Sequence, residues 1–228
     1  MSIWTRIAES LSAIGDSIGA FLQAAASKKS SAPEKSVAFT IGMIALGAKM
    51  AKADGVVTEV EVAAFKQVFH VPEHELAAVA RVFNLAKQDV AGFDSYATQI
   101  ARLFEARSGV LEDVLDGLFH IAKADNAFHP GEHGFLAQVA AVFGFTPGDF
   151  ARIRARHVSV ADDPYLILGI DRAATQAEIK ARYRQLVREN HPDRHIAAGV
   201  PEEMIEIATA RLQKINEAYD VIMKERAA

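Results

Sequence analysis

A proline that follows a strongly periodic segment constrains how the C-terminal third of this chain can fold. Between Thr175 and Asn190, apolar residues recur at spacings of three and four and define one helix face: Ile179, Tyr183, Leu186 and Val187. An adjoining stripe is basic and contains Lys180, Arg184 and Arg188. Pro192 disfavours helical geometry at the preceding residue, so we expect the helix to end there and to leave His191 and Asp193 in a loop.

Four sequence blocks surround this proline in a fixed order. They are DPYLILGI, AEIKARYRQLVREN, HPDR and LQKINEAYDVI. Together they resemble a J domain, the Hsp70-activating module of DnaJ-type co-chaperones, over residues 163–228. The resemblance implies a small helical hairpin that binds the ATPase and linker region of an Hsp70. It assigns Hsp70 binding to His191, Pro192, Asp193, Lys180, Tyr183, Arg184 and Arg188.

The resemblance to the J domain also suggests a role for each of these residues. Asp193 would accept a charge-assisted hydrogen bond from an arginine of the partner, Pro192 would fix the backbone and His191 would orient it. The basic stripe would meet an acidic surface, and Tyr183 would serve both core and contact surface. Gln185 departs from the family, which commonly has a basic residue there, and the stretch before LQKINEAYDVI is longer than usual.

Composition narrows the remaining function classes. The 228 residues are 50% hydrophobic, which is ample for a packed core, and the chain has no cysteine. Disulfides, cysteine-ligated zinc and thiol nucleophiles are therefore excluded. A net charge of −4 provides no general attraction to nucleic acid. The most apolar stretch, Val37 to Met50, is too short for a membrane span and is predicted to be a buried helix. With no signal-peptide pattern, we expect a cytoplasmic protein.

Residues 1–33 are predicted to form an amphipathic helix followed by a polar linker. The apolar stripe of this helix contains Ile3, Ile7, Leu11, Ile14, Ile18 and Leu22. Its polar face lacks the lysine and arginine enrichment of membrane-surface helices. Docking on the protein or on a partner is therefore favoured, and peripheral membrane contact is the alternative.

An internal repeat lies in a segment that is predicted to be helical throughout, from residue 34 to residue 157. Asp54 and Glu61 recur, 71 residues later, as Asp125 and Glu132, each pair within a similar local sequence. Two equivalent helix-loop-helix units packed face to face are the simplest interpretation. This segment resembles the TerB-like tellurite-resistance domain, which has two similar halves. We therefore expect an all-α chain, with a TerB-like helical bundle built from two similar halves and a small J-domain hairpin.

A TerB-like domain followed by a J domain is similar to the organisation of the DjlA family of bacterial co-chaperones. The predicted divisions are residues 1–33 for the N-terminal helix and linker, 34–157 for the TerB-like domain, 158–162 for a hinge and 163–228 for the J domain. DjlA proteins begin with a transmembrane helix, whereas none is predicted here.

The repeated acidic residues allow two interpretations. Asp54, Glu61, Asp125 and Glu132 could bind a divalent cation such as calcium, a role that the TerB resemblance associates with its acidic sites. The alternative is helix capping, because the first copy matches a capping box and Glu132 would be the third helical residue after Pro130. Neither interpretation requires a cofactor for the function of the chain.

No nucleophile-base arrangement or phosphate-binding loop is recognisable, so the sequence predicts a co-chaperone rather than an enzyme. The leading hypothesis is that the J domain binds a DnaK-type Hsp70 and stimulates its ATP hydrolysis, while the TerB-like domain selects clients, partners or location. The alternative is a metal- or stress-responsive interaction protein with the J domain as a scaffold. The intact His-Pro-Asp sequence favours the first hypothesis.

Overall fold

The structure, a computed structural model, describes residues 3, 5–7, 9, 18, 22, 32–53, 63, 66, 71–88, 92–104, 106–124, 128–157, 163–198 and 205–227. Within these ranges the chain forms ten α-helices and no strand, which confirms the all-α prediction. The first six are α1 (Ala32–Ala53), α2 (Leu76–Gln88), α3 (Phe93–Ala101), α4 (Gly109–Ala122), α5 (Pro130–Val142) and α6 (Pro147–Ala155). The last four are α7 (Pro164–Leu168), α8 (Gln176–Glu189), α9 (Pro192–Ala197) and α10 (Ile205–Glu225).

The middle of helix α1 is buried on all sides. Every residue from Val37 to Met50 is buried, as the sequence predicted, because apolar side chains surround the helix axis. The helix packs against α2 and α3. Of the helices that the structure describes, none is both long enough and apolar enough to cross a bilayer.

The N-terminal apolar stripe is described at four of its six positions. Ile3, Ile7, Ile18 and Leu22 are buried in the same core as α1. The other two, Leu11 and Ile14, lie outside the described residues. The described part of the stripe thus packs on the protein itself, which is the interpretation that the sequence favoured.

Helix α4 lies at the centre of the molecule. Ser108 caps it by accepting a hydrogen bond from the amide of Leu111, and the residues from Val110 to Phe119 are all buried. The helix contacts α1, α5 and α6 on one side and α10 on the other. It therefore connects the main hydrophobic core to the C-terminal helices.

The C-terminal helices enclose a second, smaller core. Ile179 and Leu186 of α8 pack there with Ile215 and Ile222 of α10, beneath α7. The two cores are in contact, since Ala155 of α6 packs against the smaller one. Three residues from the C-terminal part pack against the main core: Ala198, Ile205 and Ile207. The predicted hinge at 158–162 lies outside the described residues, and the domain boundaries stay predictions.

Close packing of α1 against α3 depends on a glycine. A Cβ atom at Gly42 would lie 2.7 Å from Cγ1 of Ile100, closer than side chains can approach. We expect Gly42→Ala to lower the free energy of unfolding by about 1–3 kcal/mol, as overpacking of a core does. Urea denaturation checks this. Gly134→Ala in α5 is the matched control, because a Cβ there meets nothing within 4 Å and should stabilise the helix.

Candidate functional site

Helix α8 presents the candidate residues, and its start is fixed by a capping box. The hydroxyl of Thr175 accepts a hydrogen bond from the amide of Glu178, and the Glu178 carboxylate accepts one from the Thr175 amide at 2.7 Å. That backbone hydrogen bond lowers the pKa of Glu178. With Ile179 and Leu186 buried, the opposite face of α8 must face solvent.

The predicted basic stripe lies on that solvent-facing side. Lys180, Arg184 and Arg188 are all exposed. Among the described residues, no carboxylate forms an ion pair with any of these three side chains. Their positive charges therefore face solvent, as the sequence predicted, whereas their contact with an acidic partner stays a prediction.

Tyr183 lies at the edge of the smaller core. Its ring stacks on that of Tyr219 with the centroids 4.0 Å apart, and its hydroxyl donates a hydrogen bond to Oδ1 of Asn216. The side chain is half-buried. Its position is consistent with the predicted double role, whereas its contact with a partner stays a prediction.

The prediction that His191 and Asp193 lie in a loop is wrong in one respect. Helix α8 does end at Glu189, but Pro192 and Asp193 form the first turn of the short helix α9, with His191 as its N-cap. Proline suits this position because its missing amide proton would have no partner there and its φ angle is already helical. Aspartate is also favoured in the first turn of a helix.

The geometry at His191 leaves the carboxylate of Asp193 without a strong partner among the described residues. Nδ1 of His191 accepts a hydrogen bond from the Asp193 amide at 3.2 Å. The same nitrogen lies 3.6 Å from the Asp193 carboxylate, which is beyond hydrogen-bond distance. That carboxylate is 85% exposed. Asp193 can therefore accept hydrogen bonds from outside the chain.

The residues of the predicted cation site are described only in part. Glu132 is buried, and its carboxylate accepts a hydrogen bond from the amide of His129 at 2.8 Å, one turn before it at the start of α5. This is the capping role. Asp54, Glu61 and Asp125 lie outside the described residues, so the cation site stays a prediction. Within the described ranges, no three histidine or acidic side chains come together as metal ligands.

Sequence reasoning missed a buried ionic network beneath the candidate site. Helix α4 carries three buried carboxylates, those of Glu112, Asp113 and Asp116, in the otherwise apolar string VLEDVLDGLF. That string was a signal, because acidic residues inside an apolar helix must find partners when they are buried. Their partners lie in α6 or directly after it, in α9 and in α10. They are Arg152, Arg156, His157, His195 and Arg211.

On the side of the main core, two arginines bind these carboxylates. Arg152 makes a bidentate pair with Glu112 at 2.9 and 3.1 Å. Arg156 bridges Glu112 at 2.7 Å and Asp116 at 2.9 Å. Although burial alone raises the pKa of Glu112, Arg156 and Arg152 outweigh it and lower that pKa to about 2. Burial raises the pKa of Asp116 as well, but Arg156, His157 and Arg211 outweigh it and lower that pKa, so both carboxylates are ionised at neutral pH.

On the other side, the same helix holds the C-terminal helices. Arg211 of α10 approaches Asp113 to 2.7 Å and Asp116 to 3.4 Å, and it also donates to the carbonyl of Gly109. Nδ1 of His195, in α9, hydrogen-bonds the other oxygen of Asp113. Burial raises the pKa of Asp113, which has lost its contact with water entirely. The network therefore spans both cores.

Comparison with known protein families matches two successive parts of the chain, in the order that the sequence predicted. Residues 40–155 match the family of tellurite resistance protein TerB, and residues 163–227 match the DnaJ domain. The chain is therefore a J-domain protein in which a TerB-type helical domain precedes the J domain. The exposed His-Pro-Asp sequence described above lies in the second of these two domains.

Curated relatives identify the family more closely. The co-chaperone protein DjlA of Coxiella burnetii is 30% identical over an alignment that covers 78% of this chain and 74% of the relative. DjlA of Photobacterium profundum is 27% identical over 87% of this chain and 81% of the relative. DjlA of Pasteurella multocida is 45% identical over 65 residues, 28% of this chain and 23% of the relative. The chain belongs to the DjlA family of co-chaperone proteins. No solved structure matches it.

The lowered pKa of Glu112 predicts how the free energy of unfolding depends on pH. Because the folded-state pKa lies below the usual value, ionised Glu112 stabilises the fold above pH 4.5, and this contribution disappears as the pH falls towards 2. We expect Glu112→Gln to lower the free energy of unfolding at pH 7 by about 3 kcal/mol, and the difference from wild type to shrink between pH 5 and pH 3.

Urea denaturation at a series of pH values measures this difference. Glu225→Gln, at an exposed position near the C-terminus, is the control for the change of charge itself and should track wild type throughout. A difference between Glu112→Gln and wild type that stays constant with pH would contradict the assignment.

Proposed function

We propose that this protein binds a DnaK-type Hsp70 through α8 and the first turn of α9 and stimulates ATP hydrolysis by that Hsp70. The observation that carries the proposal is the exposed carboxylate of Asp193 directly after the helix that carries the exposed basic stripe. Both lack strong ionic partners in the part of the chain that the structure describes. The DnaJ domain match and the membership of the DjlA family support the choice of partner.

Asp193 makes the central contact in this proposal. An exposed carboxylate fixed at the start of a helix can accept two hydrogen bonds from one guanidinium group, which selects an arginine of defined orientation. Pro192 and the hydrogen bond between the His191 ring and the Asp193 amide hold the backbone in this form before binding. Less conformational freedom is then lost when the complex forms.

Stimulation of ATP hydrolysis requires more than binding. An activator shifts a conformational equilibrium only if it binds the hydrolysis-competent state more tightly than the resting state. Asp193 meets this requirement if its arginine partner becomes accessible only in the competent state. The catalytic groups are those of the Hsp70, so the co-chaperone supplies none.

The basic stripe serves the encounter between the two proteins. Lys180, Arg184 and Arg188 are exposed and lack internal ion pairs within the described residues, so they attract an acidic surface over about a Debye length. Such charges mainly raise the association rate and set the register of the complex.

We also propose a role for the helical domain that precedes the J domain. Its match to the TerB family supports a binding function, through which it selects clients, partners or location. The cytoplasm, where a DnaK-type Hsp70 is found, is the location that we propose for the complex.

The first functional prediction concerns Asp193. We expect Asp193→Asn to raise the concentration of the protein that half-saturates Hsp70 ATPase stimulation by roughly 10- to 100-fold, because a charge-assisted hydrogen bond contributes about 1.5–3 kcal/mol. Steady-state ATPase assays with the cognate Hsp70 measure this. Asp220→Asn removes the same charge from an exposed position on α10 and should leave stimulation unchanged. Equal stimulation by wild type and Asp193→Asn would refute the proposal.

The second prediction concerns the basic stripe. Arg184→Glu places negative charge against an acidic surface, so we expect slower association with Hsp70 and a dissociation rate that changes little. Stopped-flow binding over a range of salt concentrations measures both rates. The association rate of wild type should fall steeply with salt, since exposed charges are screened. Arg81→Glu on the exposed face of α2 is the matched control. Salt-insensitive association would remove the stripe from the proposed contact.

A further inference from the structure

Helix α9 joins the exposed Asp193 to the centre of the molecule. Its six residues begin with Pro192 and include His195, whose side chain is almost entirely buried, although that of Asp193, two residues before it, is 85% exposed. Nδ1 of His195 hydrogen-bonds Asp113 of α4, in the segment that matches the TerB family. One side of this short helix thus carries Asp193, the candidate contact with Hsp70. The opposite side carries His195, which binds the TerB-like domain.

The approach between the two parts is so close that any side chain larger than that of glycine would force them to shift. A Cβ atom at Gly109, the first residue of α4, would lie 3.0 Å from Nε2 of His195 and 3.0 Å from the carbonyl oxygen of Glu189. Both contacts are with residues close to the His-Pro-Asp sequence. The carbonyl of Gly109 also accepts a hydrogen bond from Arg211. The fit is therefore both ionic and steric.

Resting on the proposed function, we infer that Asp113 is a positioning residue for Hsp70 activation: it holds α9 through His195, and the J domain engages Hsp70 while it remains docked on the TerB-like domain. Asp113 does not touch the Hsp70 in this proposal. It acts by restricting the orientation of the helix that carries Asp193.

Exposure distinguishes this arrangement from an inhibitory one. In the docked form, half of the His191 side chain and most of Asp193 are exposed, and so are Lys180, Arg184 and Arg188. Docking instead covers His195 and Arg211, which lie on the other side of α9 and on α10. Of the proposed Hsp70-contacting side chains only Pro192 and Tyr183 are half-buried rather than exposed, and Tyr183 is covered by Tyr219 of the C-terminal helices themselves, so release from the TerB-like domain is not required for binding.

Buried ion pairs suit this positioning role. They add little net stability compared with apolar packing, yet a single geometry satisfies them, because a shifted helix would leave a charge buried without its partner. One oxygen of Asp113 is hydrogen-bonded to His195, and the other lies 2.7 Å from the guanidinium group of Arg211 as an ion pair. Relative movement of α4 against α9 and α10 would break both contacts at once.

The decisive experiment compares variants of the full chain in the Hsp70 ATPase assay. His195→Leu removes the hydrogen bond to Asp113, whereas His195→Asn keeps a donor at the position of Nδ1. We expect His195→Leu to raise the half-saturating concentration roughly three- to tenfold with the maximal stimulated rate unchanged, because the loss of preorganisation weakens binding and not the switch itself. His195→Asn should remain within about twofold of wild type on the same grounds.

A second variant tests docking independently of His195, in case His195→Leu fails to fold. Gly109→Leu obstructs docking without removing any charge, and it should shift the half-saturating concentration in the same direction as His195→Leu. Gly131→Leu is the matched control, since a Cβ at Gly131 meets nothing within 4 Å. Thermal unfolding by circular dichroism identifies any variant that is not folded at the assay temperature.

Docking itself can be measured on the otherwise unaltered protein. The chain contains no cysteine, so Gln138→Cys in α5 and Lys224→Cys in α10, both exposed, can carry a single pair of spin labels. We expect one narrow distance distribution by pulsed electron spin resonance, unchanged on addition of Hsp70 and ATP and broadened in Gly109→Leu.

Each outcome decides the inference. A broad distribution in the otherwise unaltered protein, or one that changes when Hsp70 binds, overturns docked engagement. Unchanged half-saturating concentrations in His195→Leu and Gly109→Leu overturn the positioning role, and greater stimulation by either would mean that docking restrains activation. If wild type fails to stimulate, or Asp193→Asn stimulates equally well, the proposed function itself fails, which is a distinguishable result.

Discussion

The burial of three carboxylates on one central helix is the constraint on which the rest of the structure depends. Glu112, Asp113 and Asp116 lie in a helix that is buried from Val110 to Phe119, so each of them has lost most or all of its contact with water. Isolated buried charges would cost many kcal/mol, and three arginines offset that cost by converging from two sides. These arginines lie in α6, directly after α6 and in α10. Movement of one core relative to the other would therefore separate a buried charge from its partner.

Much of the local structure could be predicted from sequence because its causes are local. The spacing of Ile179 and Leu186 defines the buried face of α8, and the polar residues between them define its exposed face. The mainly apolar stretch from Val37 to Met50 predicted a buried helix for the same reason. In both cases one helical period is sufficient to assign each side chain to core or solvent.

The errors and omissions have physical causes as well. Pro192 excludes helix from the residue before it, but it equally favours the first position of a new helix, and the sequence rule alone could not choose between these outcomes. The ionic network was missed because its partners are far apart along the chain, with a separation of 82 residues between Asp113 and His195. Periodicity identifies which acidic residues are buried, yet only the tertiary fold determines which basic residue reaches them.

The shortness of α9 has a mechanical consequence. A helix rises about 1.5 Å per residue, so Asp193 and His195 are separated by about 3 Å along its axis. A force applied to Asp193 by a moving partner would reach Asp113, and with it the central helix, within one helical turn and without passing through a compliant loop. The molecule would resist such a pull with the stiffness of its main core.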